Sequence, residues 1–546
     1  MHVDTSYSRQ RGKVYCRHLL RESYREDGKV KHRTVANLSR CSEHEIAAIK
    51  LALNHKNNLS ALVSINDIHT QEGLRVGAVF SLFTIAQRLG LTAALGHDRD
   101  GKLALWQILA RLIDQGSRLS AVRLAQSHAA CDVLGLDGFN EDRLYRNLAW
   151  LSENQESIEK RLFHQRYGSA PPQLFLYDVT SSYLEGIKNI LAAYGYNRDG
   201  KKGKQQLVIG LLTGPEGDPV AVRVFAGNTQ DPKTIPEQIR TVANCFGVKE
   251  VTMVGDRGML KKPQLELLNK EGFHYISAIT KPQIQKLLND GVFQMNLFDQ
   301  QLGQVEVDGV RYILRRNPQR VAELAQNREQ KLKSARKLLT QKNHYLAEHR
   351  RAKVHVAIRT ATQYISKLKL NDWVRVGATD RVLDLFIDQR AVQQKYQLDG
   401  CYVIKTDLPA QTSTAEMIHD RYKDLAQVER AFRTFKNGHL EIRPTYVQTA
   451  PSTRGHVFVV MLAYLIERKL DRHWRHLDIT IAEAIDELGS LRGVEISIGE
   501  ATCQRIPNPT GLTAKLIEAL GFRLPQVLAV RNAYVATRRK LTERRK

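Results

Sequence analysis

The sequence predicts a mixed α/β fold, a central sheet covered by helices, with a basic β-ribbon and a helical region ahead of it and a large insertion within it. Three observations lead there. From Leu174 onward, short continuous apolar runs alternate with helical periodicity, the texture of buried strands joined by covering helices. The rhythm stops at about Lys281 and resumes at Cys401, which reads as an insertion. The 546 residues also exceed what one core usually organises. Hydrophobic residues at 42% and charged residues at 25% are globular values and exclude a mainly disordered chain, a collagen-like fibre and a coiled-coil rod. The balance of 82 Lys+Arg against 57 Asp+Glu, a net +25, favours a polyanionic partner, nucleic acid first.

Taken in order, residues 1–70 read as a basic β-ribbon and linker. Two Val/Tyr/Thr-rich segments flank Asp27-Gly28, where glycine accepts the positive φ of a tight turn. Arg17, Arg21, Arg25, Lys29, Lys31 and Arg33 would meet phosphates there, or belong to an ordinary solvated hairpin. Residues 71–170 are periodic at helical spacing, with Asn140 as an N-cap for a helix from Glu141 to Phe163. They read as a helical domain, with a helix-turn-helix and a plain helical bundle both open. Residues 171–280 supply strands at Leu174–Val179, Leu207–Thr213 and Val220–Phe225, a helix near Lys233–Phe246, a strand at Val251–Asp256, a helix through Pro263 to Lys270 and a strand from His274 to Ile279. Residues 281–400 form the insertion, with a long basic helix near Gln319–Ala352 and short strands around Val354–Ile358 and Val374–Val376. Residues 401–470 resume the core with strand Cys401–Ile404, a helix from about Ser413 to Lys436 and a buried apolar helix at Val457–Ile466. Residues 471–546 read as a C-terminal helical region with a basic tail.

The six cysteines show no CxxC pair and no zinc-ligand spacing, which favours a reducing compartment. No run of about 18 apolar residues appears, so a cytoplasmic protein without membrane association is expected. No GxxxxGK[ST] segment is present, which disfavours a P-loop ATPase.

Chemistry is expected at three acids. Asp178 and Asp256 follow apolar strand runs, and strand ends are where open α/β sheets place reactive groups. On a continuous helix Tyr422, Leu425, Glu429 and Lys436 would fall at about 0°, −60°, −20° and −40°, so Glu429 shares a narrow stripe with Tyr422 and Lys436. Val428, Phe432 and Phe435 form an adjacent apolar stripe that would dock this helix on the sheet. Three converging carboxylates repel one another unless hard divalent cations neutralise them. A pair of Mg²⁺ ions so held serves phosphoryl transfer.

Tyr177-Asp178-Val179-Thr180, Val254-Gly255-Asp256-Arg257-Gly258-Met259, and Tyr422 with Glu429 and Lys436 resemble the motifs of the DDE insertion-sequence transposases, the cut-and-paste group with a ribonuclease H-like core. That group's third motif is Tyr, two residues, Arg, three residues, Glu, six residues, Lys. Leu425 stands where Arg is expected, with Arg433 or Arg430 as substitutes. The 173-residue gap between Asp256 and Glu429 is similar to the insertion domain that the family carries there.

The resemblance implies an α/β ribonuclease H-like catalytic core with a large insertion between the second Asp and the Glu helix, preceded by an N-terminal β-ribbon and helical DNA-binding region. It implies a DNA transposase that binds terminal inverted repeats, cleaves the ends and joins 3′-hydroxyls to target DNA, as a homodimer in a synaptic complex within the bacterial nucleoid. Asp178, Asp256 and Glu429 would bind two Mg²⁺ ions, with Mn²⁺ able to substitute. Tyr422 and Lys436 would hold phosphates, and Arg257, Arg433 and Arg443 would meet DNA. Arg443 and His456 belong to a downstream segment that also looks family-like. Trp373, the insertion's one tryptophan, would stack on a flipped base, against the alternative of a core role. A structure-selective nuclease and a catalytically inactive transposase-derived DNA-binding protein remain as rival readings.

Overall fold

The chain is described by a computed structural model for residues 1–10, 12–57, 68–168, 170–201, 203–443, 447–498, 501–529, 531 and 533–537. The basic tail from 538 lies outside the described residues.

The ribbon is a three-stranded antiparallel sheet of β1 (His2–Gln10), β2 (Lys13–Glu26) and β3 (Lys29–Asn37), one strand more than the sequence suggests. Asp27 and Gly28 make the expected turn at φ 51° and 72°. Three of its expected phosphate contacts are already paired across strands: Arg21 with Asp4 at 2.9 Å, Lys31 with Glu26 at 2.7 Å and Arg33 with Glu22 at 2.5 Å. Helix α1 (Glu43–Asn54) follows, started by a capping box between Ser42 and Glu45.

Next come β4 (Ile68–Arg75) and the helices α2 (Gly77–Arg88), α3 (Leu91–Leu95), α4 (Arg99–Ile113), α5 (Arg118–Ser127) and α6 (Ala130–Leu134). After β5 (Gly138–Phe139) come α7 (Glu141–Glu153) and α8 (Gln155–Tyr167). Asn140 caps α7 as expected, its side chain accepting from the Arg143 amide. The single helix expected from Glu141 to Phe163 is divided at Asn154, which ends α7 and begins α8.

The central sheet has eight strands: β6 (Leu174–Tyr183), β7 (Gln206–Thr213), β8 (Pro219–Ala226), β9 (Thr252–Gly255), β10 (His274–Ala278), β11 (Gly303–Val307), β12 (Val310–Arg316) and β15 (Cys401–Thr406). Their order across the sheet is β11-β12-β15-β10-β9-β6-β7-β8. Strands β6, β7 and β8 form an antiparallel meander, while β9 runs parallel to both β6 and β10. One face carries Leu176, Ile209, Val254 and Ile404 toward the helical core, and the other carries Phe175, Tyr177, Val208 and Met253 toward α9 (Ile235–Arg240) and α10 (Lys262–Lys270). Period-two alternation therefore assigns every strand residue a face.

The insertion is smaller than the interruption in the sequence suggested. Residues 281–316 contribute α11 (Lys281–Asn289) and the paired strands β11 and β12, which extend the sheet. The inserted unit begins at Asn317 and ends at Gly400, whose carbonyl accepts from the Asn317 amide at 2.9 Å. Within it are α12 (Pro318–Glu348), α13 (Val354–Lys367), the hairpin β13 (Val374–Thr379) and β14 (Val382–Ile387), and α14 (Gln389–Tyr396). The segment Val354–Ile358, expected as a strand, is the start of α13, because Ala357, Ala361 and Ile365 form one buried helical stripe.

The helix expected from Ser413 to Lys436 is two helices, α15 (Ala415–Lys423) and α16 (Leu425–Asn437), divided at Asp424. Helix α17 (Ala450–Trp474) is the buried axis of the molecule, with every residue from Val457 to Ile466 no more than 2% exposed. Its Gly455 passes so close to α7 that a Cβ would lie 2.0 Å from the Leu148 carbonyl oxygen. The C-terminal region is not purely helical. After α18 (Ile481–Ser490), β16 (Arg492–Ile498) and β17 (Ala501–Arg505) pair with β4, and α19 (Gly511–Ala519) and β18 (Tyr534–Val535) follow.

Candidate active site

Asp178 lies in the middle of β6 rather than at its end, paired opposite Leu211. It is even-numbered with Leu174 and Leu176, so it points to the sheet face on which α16 packs through Val428 and Phe432. Asp256 is the first residue after β9. The parallel register sets Tyr177 beside Gly255, so Asp178 and Asp256 follow one another on adjacent strands. Asp178, Asp256 and Glu429 line one cavity of about 370 Å³ together with Asn317, Tyr402, Tyr422, Lys423 and Leu425. Sheet register brings the first two acids together, and the apolar stripe of α16 brings the third.

Asp178 is the most buried of the three, while Asp256 and Glu429 are exposed. Burial pushes its carboxyl up to about 7, and the charges of Asp256 and Glu429 push the same way. The Val179 amide, donating to Oδ1 at 2.7 Å, and the charge of Arg198 oppose the rise. Although the helix breaks at Asp424, Tyr422 still reaches the site, its hydroxyl donating to Asp256 Oδ1 at 3.2 Å. Burial, then Asp256, raises the Tyr422 phenol and keeps it a donor. The Asp256 loop is tied down by Ser277 Oγ and the Met259 amide, both donating to the Asp256 carbonyl at 3.2 Å.

An all-carboxylate donor set, with one member destabilised as an anion by the other two, suits a hard divalent cation. Among the described residues no group of three His, Cys, Asp or Glu side chains forms a ready-made cage for an ion.

The remaining expected residues fall in several places. Arg257 is exposed and lines a neighbouring cleft with Arg198, Lys261 and Tyr196. Arg433 is exposed but does not line the acid cavity. Leu425, standing where Arg is expected, is 8% exposed and helps wall that cavity, and Arg430 reaches Asp471 at 3.5 Å. Lys436 and Arg443 do not line the acid cavity, and each side chain is 12% exposed. Both pair with the buried Asp199, at 2.8 and 3.0 Å, and burial lowers the Lys436 ammonium. His456 is buried, its Nε2 against the Ile442 carbonyl at 3.1 Å.

Trp373 is a correction. It is 3% exposed, edge-on to Tyr396 and packed with Ala335, Ile365 and Leu370, so its indole faces the insertion's own core and offers no free stacking surface.

Sequence reasoning missed Arg198, Lys423, Tyr402, Asn317 and Asp199. Only Lys423, adjacent to Tyr422, carried any signal. The others arrive from loops and from a distant strand whose placement depends on tertiary structure.

Residues 169–466 match a family model described as "Transposase DDE domain", and residues 3–62 match one described as "IS1634 family transposase, N-terminal domain". No curated protein matches. Among solved structures, the chain is similar to one in the cryo-EM structure of a piggyBac transposase synaptic complex with hairpin DNA. The identity is 9%, the similarity covers 77% of this chain and 82% of that chain, and the TM-score is 0.37.

Proposed function

This chain belongs to the DDE transposases, whose domain spans its residues 169–466, and from that premise we propose that Asp178, Asp256 and Glu429 are the acids of its catalytic centre. It is a DNA transposase, an enzyme that cuts and joins DNA. One observation carries the assignment: the three acids line one cavity, and Asp178 is raised to about 7 partly by the charges of the other two.

The three acids would hold two Mg²⁺ ions, with Mn²⁺ as a substitute. When bound, such ions supply Lewis-acid stabilisation of the attacking and departing oxygens in phosphoryl transfer. The chain's own groups prepare that chemistry. The Tyr422 hydroxyl fixes one oxygen of Asp256, a residue that lines the cavity. Lys423 and Arg257, both exposed beside the acids, attract the phosphates that flank the cut. Lys436 reaches a terminal phosphate only by exchanging its Asp199 partner for it. Residues 1–70 and 71–170 bind the terminal inverted repeats, the inserted unit lies over the DNA near the acids, and two copies assemble on paired ends in the nucleoid.

The test is cleavage and strand joining by full-length protein on DNA carrying the inverted repeats of its own element, with Mg²⁺ or Mn²⁺, beside Glu429→Gln. Cutting and joining by the wild type, lost in a variant that still binds ends, is the expected result. Cleavage retained by Glu429→Gln overturns the site. Cutting without joining identifies a nuclease, and end binding without cutting identifies a non-catalytic DNA-binding protein.

A further inference from the structure

We propose that the cavity between the start of α5 and the segment that follows α16 is a binding site for a single phosphate group. It lies apart from the acid cavity and does not rest on the catalytic assignment. Arg111, Ser117, Arg118, Glu441, Arg443 and His456 contribute to its wall, and its volume of about 180 Å³ suits one oxyanion.

The charge inventory carries the argument. Arg111 and Arg118 are each 4% exposed, and among the described residues neither has a carboxylate within ion-pair distance. Arg118 Nη1 donates to Gln107 Oε1 at 2.7 Å. Arg111 donates to the Gln115 and Gly116 carbonyls at 2.5 and 3.1 Å, while its Nε has no partner. Burying two guanidinium groups whose hydrogen bonds go to neutral acceptors is costly. Burial takes Arg111 down to about 10 and Arg118 to about 9, with Arg111 adding to the second shift.

The acids nearby are already engaged. Glu441 Oε1 accepts from the Arg443 amide at 2.9 Å and from its Nε at 3.4 Å, and Arg443 also pairs with Asp199. Asp114 accepts from the Ser120 hydroxyl. His456 adds no charge, since burial and the two arginines hold it down to about 3. Asp114 and Glu441 offset part of the burial of Arg111, yet among the described residues neither arginine has an ion-pair partner at the point where ten-residue helix α5 begins. Ser117 caps that helix by accepting from the Ser120 amide at 3.3 Å, and the earlier first-turn amides have no intrahelical acceptor. Fixed guanidinium groups and a helix N-terminus together form a receptor for a phosphate oxyanion.

Phosphate reaches such a site either as the free ion or as part of a DNA backbone, and two measurements on full-length protein separate the sources. Wild type and Arg118→Met are melted in phosphate and in chloride at equal ionic strength, and the affinity of each for a labelled duplex is followed against salt. Phosphate also stabilises proteins non-specifically, so the variant is the control. A phosphate-specific rise in Tm of about 2 °C or more, lost in Arg118→Met, assigns the free ion. No such rise, with a log affinity against log salt slope shallower by about 1 in the variant, assigns a backbone phosphate. If the variant does not fold, slower amide exchange at residues 111–118 of the wild type with phosphate or duplex, relative to chloride, replaces that comparison. Absence of every one of these effects, or the same response in the variant, overturns the proposal.

Discussion

Asp178 is held in conflict with its own charge. Its carboxyl rises from 3.8 to about 7, mainly through burial, so between those pH values the folded chain binds a proton that the unfolded chain has released. This group's contribution therefore makes the metal-free protein less stable as pH rises from about 4 to 7, by on the order of 2–4 kcal/mol. Asp178→Asn removes that penalty: thermal unfolding in chelator should show the variant more stable than wild type at pH 7.5, with the gap closing at pH 4. A variant no more stable at either pH contradicts the burial argument. Tyr422→Phe deletes one hydrogen bond to Asp256, worth about 1 kcal/mol, and should slow cleavage roughly fivefold without altering end binding, read from single-turnover kinetics. The acids were legible because apolar runs mark strands, and a carboxylate beside such a run stands out. Lys436 was legible as a member of the stripe but not as the partner of Asp199, which comes from a loop 237 residues away. Trp373 was misplaced because a lone aromatic in an insertion carries no sign of whether the insertion has its own core.

Among elements, the sequence was most readable where one period persists and least where it is short or broken. The β6–β8 meander and α17 follow directly from their apolar runs. Val354, Val356 and Ile358 alternate like a strand, and only the longer stripe through Ile365 reveals α13. The break at Asp424 is invisible to a helical wheel, and so is β4, whose Ile68–Arg75 sequence lacks apolar alternation and whose partner is more than 400 residues away. Contacts between elements set two expected outcomes. Gly455→Ala forces a methyl group into the Leu148 carbonyl and should destabilise the protein by about 2 kcal/mol or more in denaturant titration, since α17 and α7 must separate. Asp199→Ala leaves Lys436 and Arg443, each 12% exposed, without the anion they share. A loss of about 3 kcal/mol is expected by the same titration, with faster proteolysis between residues 184 and 205.

For the whole molecule, a net +25 makes DNA affinity strongly dependent on salt. Binding of a non-specific duplex should weaken about 10³-fold between 50 and 200 mM salt if roughly six phosphates are neutralised, and a flat response would contradict a backbone-tracking surface. The mixed sheet was visible in the sequence, because apolar strand runs and helical stretches change the local period. The return of the C-terminal region to β4 was not, because no local signal records a pairing between the two ends of a long chain. That pairing also orders events during synthesis. Strand β4 leaves the ribosome early but acquires its neighbour only after β16 has emerged, so the helical region waits for almost the entire polypeptide before its sheet closes. A product terminated before residue 492 carries the ribbon and the acids yet exposes an unpaired edge, which marks it for proteolysis or aggregation rather than for competition with intact copies at the ends of the element.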